Sequence, residues 1–162
     1  MKTVRTIRLS LLAAASATAL TLGGALSASA ASEDTTQERV DKVLLEYPGG
    51  AQIAPNEVAW ENGTVVLTLA STDGIAPLTV GSCATGSYCA YNGSALSGSK
   101  LTFSTCGTYS TTVLGTVRSV ANARTSGYVN AKNSSGSVLA TVLSGNSVSY
   151  APAGITQLTC VP

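Results

Sequence analysis

From about residue 82 to the C-terminus, short runs of β-branched and apolar residues recur roughly every ten positions, each closed by Gly, Ser or Asn. The runs fall at 87–91, 100–103, 116–121, 128–130, 138–143 and 147–150, and no helical pattern of useful length interrupts them. Short strands joined by tight turns satisfy that pattern, which predicts a sandwich or barrel. A β domain of ~80 residues buries only a modest core and commonly needs covalent staples. Cys83, Cys89, Cys106 and Cys160 are the chain's four cysteines, and all lie in this zone.

The chain opens with a basic start (Lys2, Arg5, Arg8), an apolar core "LSLLAAASATALTLGGAL", and the small-x-small triplet Ala28-Ser29-Ala30. That order is a secretory signal peptide over residues 1–30, with cleavage after about Ala30. The apolar run is short and broken by Ser, Thr and Gly, so a membrane anchor is not expected. Export to an oxidising compartment reads the even cysteine count as two disulfides. Three connectivities exist. Cys83–Cys89 is the local choice, with Gly86 turning the chain between them, and it leaves Cys106–Cys160. No His is present and the cysteines form no paired CxxC knuckles, so no metal site and no cofactor are expected.

Charge divides the chain. All eight acidic residues (Glu33, Asp34, Glu38, Asp41, Glu46, Glu57, Glu61, Asp73) precede position 74, and beyond it the charged side chains are Lys100, Arg118, Arg124 and Lys132. Within the acidic part, "SEDTTQERVDKVLLEYPGG" predicts a short helix. Asp34, Thr35 or Thr36 can cap it, Val40, Val43, Leu44 and Tyr47 form its apolar face, and Pro48-Gly49-Gly50 ends it. Asn62-Gly63, between Val58-Ala59-Trp60 and Val65-Val66-Leu67-Thr68-Leu69, predicts a β-hairpin. A lone helix and hairpin are marginal in water, so this part (residues 31–75) is expected to pack on the β zone. Residues 72–82 read as a turn-rich connector to a β domain at 76–162.

The β zone lacks His, Asp and Glu, which removes general acid–base pairs, carboxylate nucleophiles and Ser-His-Asp arrangements. Only Lys100 and Lys132 could activate a hydroxyl, and neither lies in a Ser-Lys motif. Gly93, Gly98 and Gly107 fall between strands, not ahead of a helix, so no phosphate-cradling loop is expected. Four dispersed cations are too few for a nucleic-acid surface. What remains is a non-catalytic, exported binding protein, expected to be a monomer.

A sharper signal lies in "CATGSYCAYNGSALSG", Cys83 to Gly98. Tyr91, Leu96 and Gly98 follow the βγ-crystallin Greek-key spacing of aromatic, x4, large apolar, x, Gly. Ser119 in "VRSVAN" stands where the fold-back serine of that motif is expected. Together with C-x5-C just ahead of the tyrosine and the later "RSVANART", the chain resembles the actinobacterial metalloproteinase inhibitor family over roughly Cys83 to Asn122. The resemblance implies a mostly β, βγ-crystallin-like Greek-key sandwich stapled by disulfides. It also implies a secreted inhibitor of extracellular metalloendopeptidases of the thermolysin type, needing a rigid loop and no catalytic residues. In that family the reactive loop lies in a second small disulfide ring. The corresponding segment here, Asn130 to Gly145, reads as a hairpin, and Cys106 and Cys160 are far apart. The expected contact surface is the turn Lys132-Asn133-Ser134-Ser135-Gly136 with Val138 and Leu139, since such enzymes favour an apolar residue just after the attacked bond.

The crystallin resemblance also raises calcium. "ANARTS" keeps Asn122, Thr125 and Ser126 of the usual motif but has Ala121 at its first position and Arg124 as a spacer, so it reads as a degenerate strand corner. A non-inhibitory extracellular module recognising cell wall, polysaccharide or a partner protein is the alternative, favoured by the Ser/Thr/Asn-rich surface.

Overall fold

The computed structural model describes residues 26–70 and 83–162. Most of the signal segment and the connector at 72–82 therefore lie outside the described residues. The first element is α1, Leu26–Glu46, which presents Val40 to the core with Val43 and Leu44 partly buried beside it. Val40, Val43 and Leu44 form the apolar face expected from the sequence, whereas Tyr47 lies just past the end of the helix, and the helix does not begin at Asp34, Thr35 or Thr36. Small, helix-tolerant residues continue the turn upstream to Leu26, so the expected capping residues sit inside the helix. Cleavage after about Ala30 would remove its first turn and leave the packed part intact.

Pro48-Gly49-Gly50 ends the helix, and β1 (Ala51–Ala54), β2 (Glu57–Trp60) and β3 (Val65–Thr68) come next as an antiparallel meander. Trp60 pairs with Val65 across the Asn62-Gly63 turn, in which Glu61, Asn62 and Gly63 all have positive φ. The β zone supplies β4 (Tyr88–Tyr91), β5 (Lys100–Phe103), β6 (Thr108–Ser110), β7 (Ser119–Asn122), β8 (Tyr128–Lys132), β9 (Val138–Leu143), β10 (Asn146–Val148) and β11 (Gln157–Val161).

These strands make two antiparallel sheets. One has seven strands in the order β1-β2-β3-β5-β4-β7-β10, and the other has four, β6-β11-β8-β9. The acidic part packs on the rest by direct backbone pairing: β3 lies against β5, with Leu67 opposite Leu101 and Val65 opposite Phe103. One core runs through both parts, from Val40, Val58 and Leu67 to Tyr88, Phe103, Val120, Val129, Val142 and Leu158. Strands β1, β6 and β11 were not expected from the sequence. They are short, and β11 is recognisable only because β6 and β8 pair on its two sides.

Strand β4 is buried on both faces. Tyr88 and Ala90 enter the main core, while Cys89 and Tyr91 face a second cluster with Cys83 and Ala121. That second cluster is roofed by the chain folding back after Tyr91: Asn92 N donates to Ser99 O (3.1 Å) and Gly93 N to Ser97 O (3.0 Å). Ser119 Oγ ties the roof down, donating to Gly93 O (2.6 Å) and accepting from Leu96 N (3.0 Å). Gly98 has φ +79° and its Cα faces Asn92 Oδ1 so closely that no Cβ fits between them.

The disulfides are Cys83–Cys89, six residues apart, and Cys106–Cys160, fifty-four apart. The first closes the roof over β4, and the second anchors β11 to the segment ahead of β6. Loop-closure entropy predicts ~2 kcal/mol of stabilisation from the first and ~4 kcal/mol from the second. In urea unfolding, replacing Cys106 and Cys160 together by Ala is expected to cost more stability than replacing Cys83 and Cys89 together.

Three rings stack through the core, Tyr88 on Phe103 (5.0 Å) and Phe103 on Tyr109 (5.2 Å). The Tyr88 ring is fully buried and its hydroxyl donates to Gly107 O (3.2 Å). Burial, with Tyr109 adding to it, pushes the Tyr88 phenol well above its ordinary range. Its raised folded-state pKa gives stability that is present below the unfolded value of ~10 and lost above it, where the unfolded chain releases a proton the native one retains. Denaturation at a series of pH values is expected to show a loss of up to about 1.4 kcal/mol per pH unit above pH ~10. Tyr88→Phe should flatten that slope relative to the parent.

Candidate functional site

Strands β8 and β9 form the hairpin that carries the expected contact residues. Tyr128 pairs with Leu143, Asn130 with Thr141 and Ala131 with Ala140, but Lys132 pairs with Val138. The shift is a bulge at Leu139, and it separates the fates of two adjacent apolar residues. Leu139 packs against the main core, whereas Val138 is 50 % exposed. Lys132 and Asn133 are half-buried at the base, and Ser134, Ser135, Gly136 and Ser137 are exposed.

The turn is held by its own first residue. Asn133 Oδ1 accepts from Ser135 N (3.1 Å), Ser135 Oγ (2.7 Å) and Ser137 N (2.9 Å). Asn133 N donates to Ser137 O (3.1 Å), and Gly136 N donates to Asn133 O (3.0 Å). This is the local side-chain-to-backbone closure that makes Asn a turn residue. The base is clamped to the start of β11 and the residue ahead of it: Thr156 N donates to Lys132 O (2.9 Å) and Gln157 Nε2 to Asn133 O (3.2 Å). The sequence placed Asn133 in the turn. Gln157, twenty-four residues away, had no local signal that could tie it to the loop.

Around the turn, the outer face of the four-strand sheet continues with little charge. Thr108, Thr159, Asn130 and Thr141 lie in one row across all four strands. Thr108 Oγ1 donates to Thr159 Oγ1 (3.1 Å) and Thr141 Oγ1 to Asn130 Oδ1 (2.7 Å). Val161, Tyr128 and Leu143 form the next row, with Tyr128 and Leu143 exposed, and Lys132 is the charged residue of the face. Such a surface offers hydrogen bonds and apolar contact; it offers no proton donor or acceptor poised for catalysis.

The other residues singled out in the sequence sit elsewhere. Tyr91, Gly98 and Ser119 belong to the roof over β4, away from the β8–β9 turn in the fold. Lys100 is on β5 opposite Tyr91. In "ANARTS", Asn122 is buried, with Nδ2 donating to Val142 O (3.1 Å) and Oδ1 accepting from Arg124 N (3.2 Å). Its amide is committed to the strand corner and a guanidinium lies two residues on, so the segment does not fit a hard divalent cation. Among the described residues no group of three His, Cys, Asp or Glu side chains could hold a metal ion.

Residues 76–141 match the model of peptidase inhibitor family I36, a span that includes β4 to β8 and ends within β9. No curated protein and no solved structure matches the chain. The family points to a non-catalytic protein whose partner is a peptidase. The match supports assignment of residues 76–141 to a peptidase inhibitor family.

Proposed function

We propose that the protein is a secreted inhibitor of extracellular metalloendopeptidases of the thermolysin type, binding through the β8–β9 turn. The family match over residues 76–141 carries this reading. Export is supported by the signal-like start (Lys2 to Ala30) and by two disulfides. The βγ-crystallin-like character of the inhibitor domain, residues 76–162, is supported by the fold-back at Tyr91, Gly98 and Ser119.

A stoichiometric inhibitor must lose little freedom on binding, because each side chain or loop ordered at the interface costs affinity. The Asn133 amide has already ordered Ser134 to Ser137 in the free protein. The bulge at Leu139 then leaves Val138 as the apolar side chain beside the turn, matched in character to an enzyme that selects an apolar residue after the attacked bond. The uncharged Thr/Asn row of the same sheet supports a second reading, a module that holds cell-wall polysaccharide.

The purified secreted form is expected to slow a thermolysin-type enzyme at equimolar concentration. An unchanged rate up to a large molar excess, with retention on cell-wall polysaccharide, would replace the first reading by the second. Within the first reading, Asn133→Ala should weaken inhibition roughly tenfold by releasing the turn. Because the turn is exposed, the same substitution should lower unfolding stability by only about 1 kcal/mol. Inhibition constants and urea midpoints measured on the same samples test both numbers.

A further inference from the structure

A groove of about 430 Å³ opens where the end of α1 meets the β2–β3 turn and the segment after β6. Tyr47, Trp60 and Tyr109 line it. Each ring is held in place. Trp60 Nε1 donates to Tyr47 O (3.2 Å), Tyr47 Oη donates to Thr112 O (3.1 Å), and Tyr109 stacks on Phe103. Gly50 backs the indole, and a Cβ there would lie 2.7 Å from Trp60 Nε1.

Among the described residues, two carboxylates, Glu46 and Glu61, line the same groove, and no Lys or Arg does. Arg39 and Lys42 line the adjoining depression toward Leu69 and Leu114, which shares Glu46 and Tyr47 with the groove. Both carboxylates are placed at a local cost. Glu46 is the last residue of α1, where the helix dipole already concentrates negative potential, and no basic residue occupies that last turn. Glu61 holds a left-handed backbone (φ 51°), a conformation that side-chain-bearing residues avoid. Burial, and then the neighbouring Glu46, raise the Tyr47 phenol above its ordinary range. A rigid aromatic cleft carrying two carboxylates is complementary to a cation carried on an apolar stem.

We propose that this groove captures an arginine side chain of a partner polypeptide, with the guanidinium between Glu46 and Glu61 and against the Trp60 and Tyr47 rings. Arginine fits better than a compact ammonium because its planar head stacks on indole and bonds carboxylates in the same pose. Glu46, Tyr47, Trp60 and Glu61 all precede the family-matched residues 76–141. The proposal goes beyond the inhibitory reading, and a failed inhibition assay leaves it standing.

Trp60 is the chain's one tryptophan, so its fluorescence reports on the groove alone. Titrating the intact protein with acetyl-Gly-Arg-Gly-amide to millimolar concentrations should give a saturable change. The neutral citrulline analogue should give none. The double substitution Glu46→Gln/Glu61→Gln should weaken arginine-peptide binding roughly fivefold or more. Raising salt on the unsubstituted protein should weaken it too, a readout that does not depend on the variant folding. No saturable change, an equal response to citrulline, or an affinity indifferent to salt or to the double substitution would overturn the proposal.

Discussion

The pairing of β3 with β5 is the contact on which the rest of the structure depends. Without it the N-terminal helix and meander would be a marginal unit with one face exposed to water. With it, Leu67 meets Leu101, Val65 meets Phe103, and seven strands share one sheet. The acidic part is in this way a structural layer of the β domain. The same pairing brings the end of α1 and the β2–β3 turn alongside Tyr109 and Thr112, which creates the aromatic groove.

Burial of β4 on both faces is the second constraint. A strand in the middle of a sheet whose two faces are both covered cannot slip by one residue without exchanging its whole side-chain set. Tyr88 and Ala90 are suited to the main core, and Cys89 and Tyr91 to the smaller cluster under the fold-back. Ser119 closes that arrangement with one hydroxyl serving a carbonyl and an amide from opposite sides of the roof. The cysteine- and tyrosine-rich stretch at residues 83–98 is therefore scaffold: its bridge and its aromatic ring hold the sheet, while the β8–β9 turn projects elsewhere.

That turn is organised by short-range chemistry on a long-range base. Asn133 shapes it with bonds spanning at most four residues, and β11 steadies it from across the chain through Thr156 and Gln157. Cys106–Cys160 in turn fastens β11. The rigidity of the turn comes from an amide, a neighbouring strand and a distant disulfide, as the proposed contact surface requires.

What the sequence determined by itself was whatever depends on neighbours along the chain. The helical face at Val40, Val43 and Leu44, the Asn62-Gly63 hairpin, the six β runs and the short Cys83–Cys89 loop all arise from residues within a few positions of each other. Peptide geometry and turn chemistry act over that range. Tertiary structure decided what depends on partners far away. Strands β6 and β11 exist because they pair with each other and β11 with β8, and Leu139 turns inward while Val138 faces out because of a bulge against β8. The groove of Tyr47, Trp60 and Tyr109 was beyond reach for the same reason. Its walls come from segments separated by dozens of residues, and only sheet pairing brings them within touching distance.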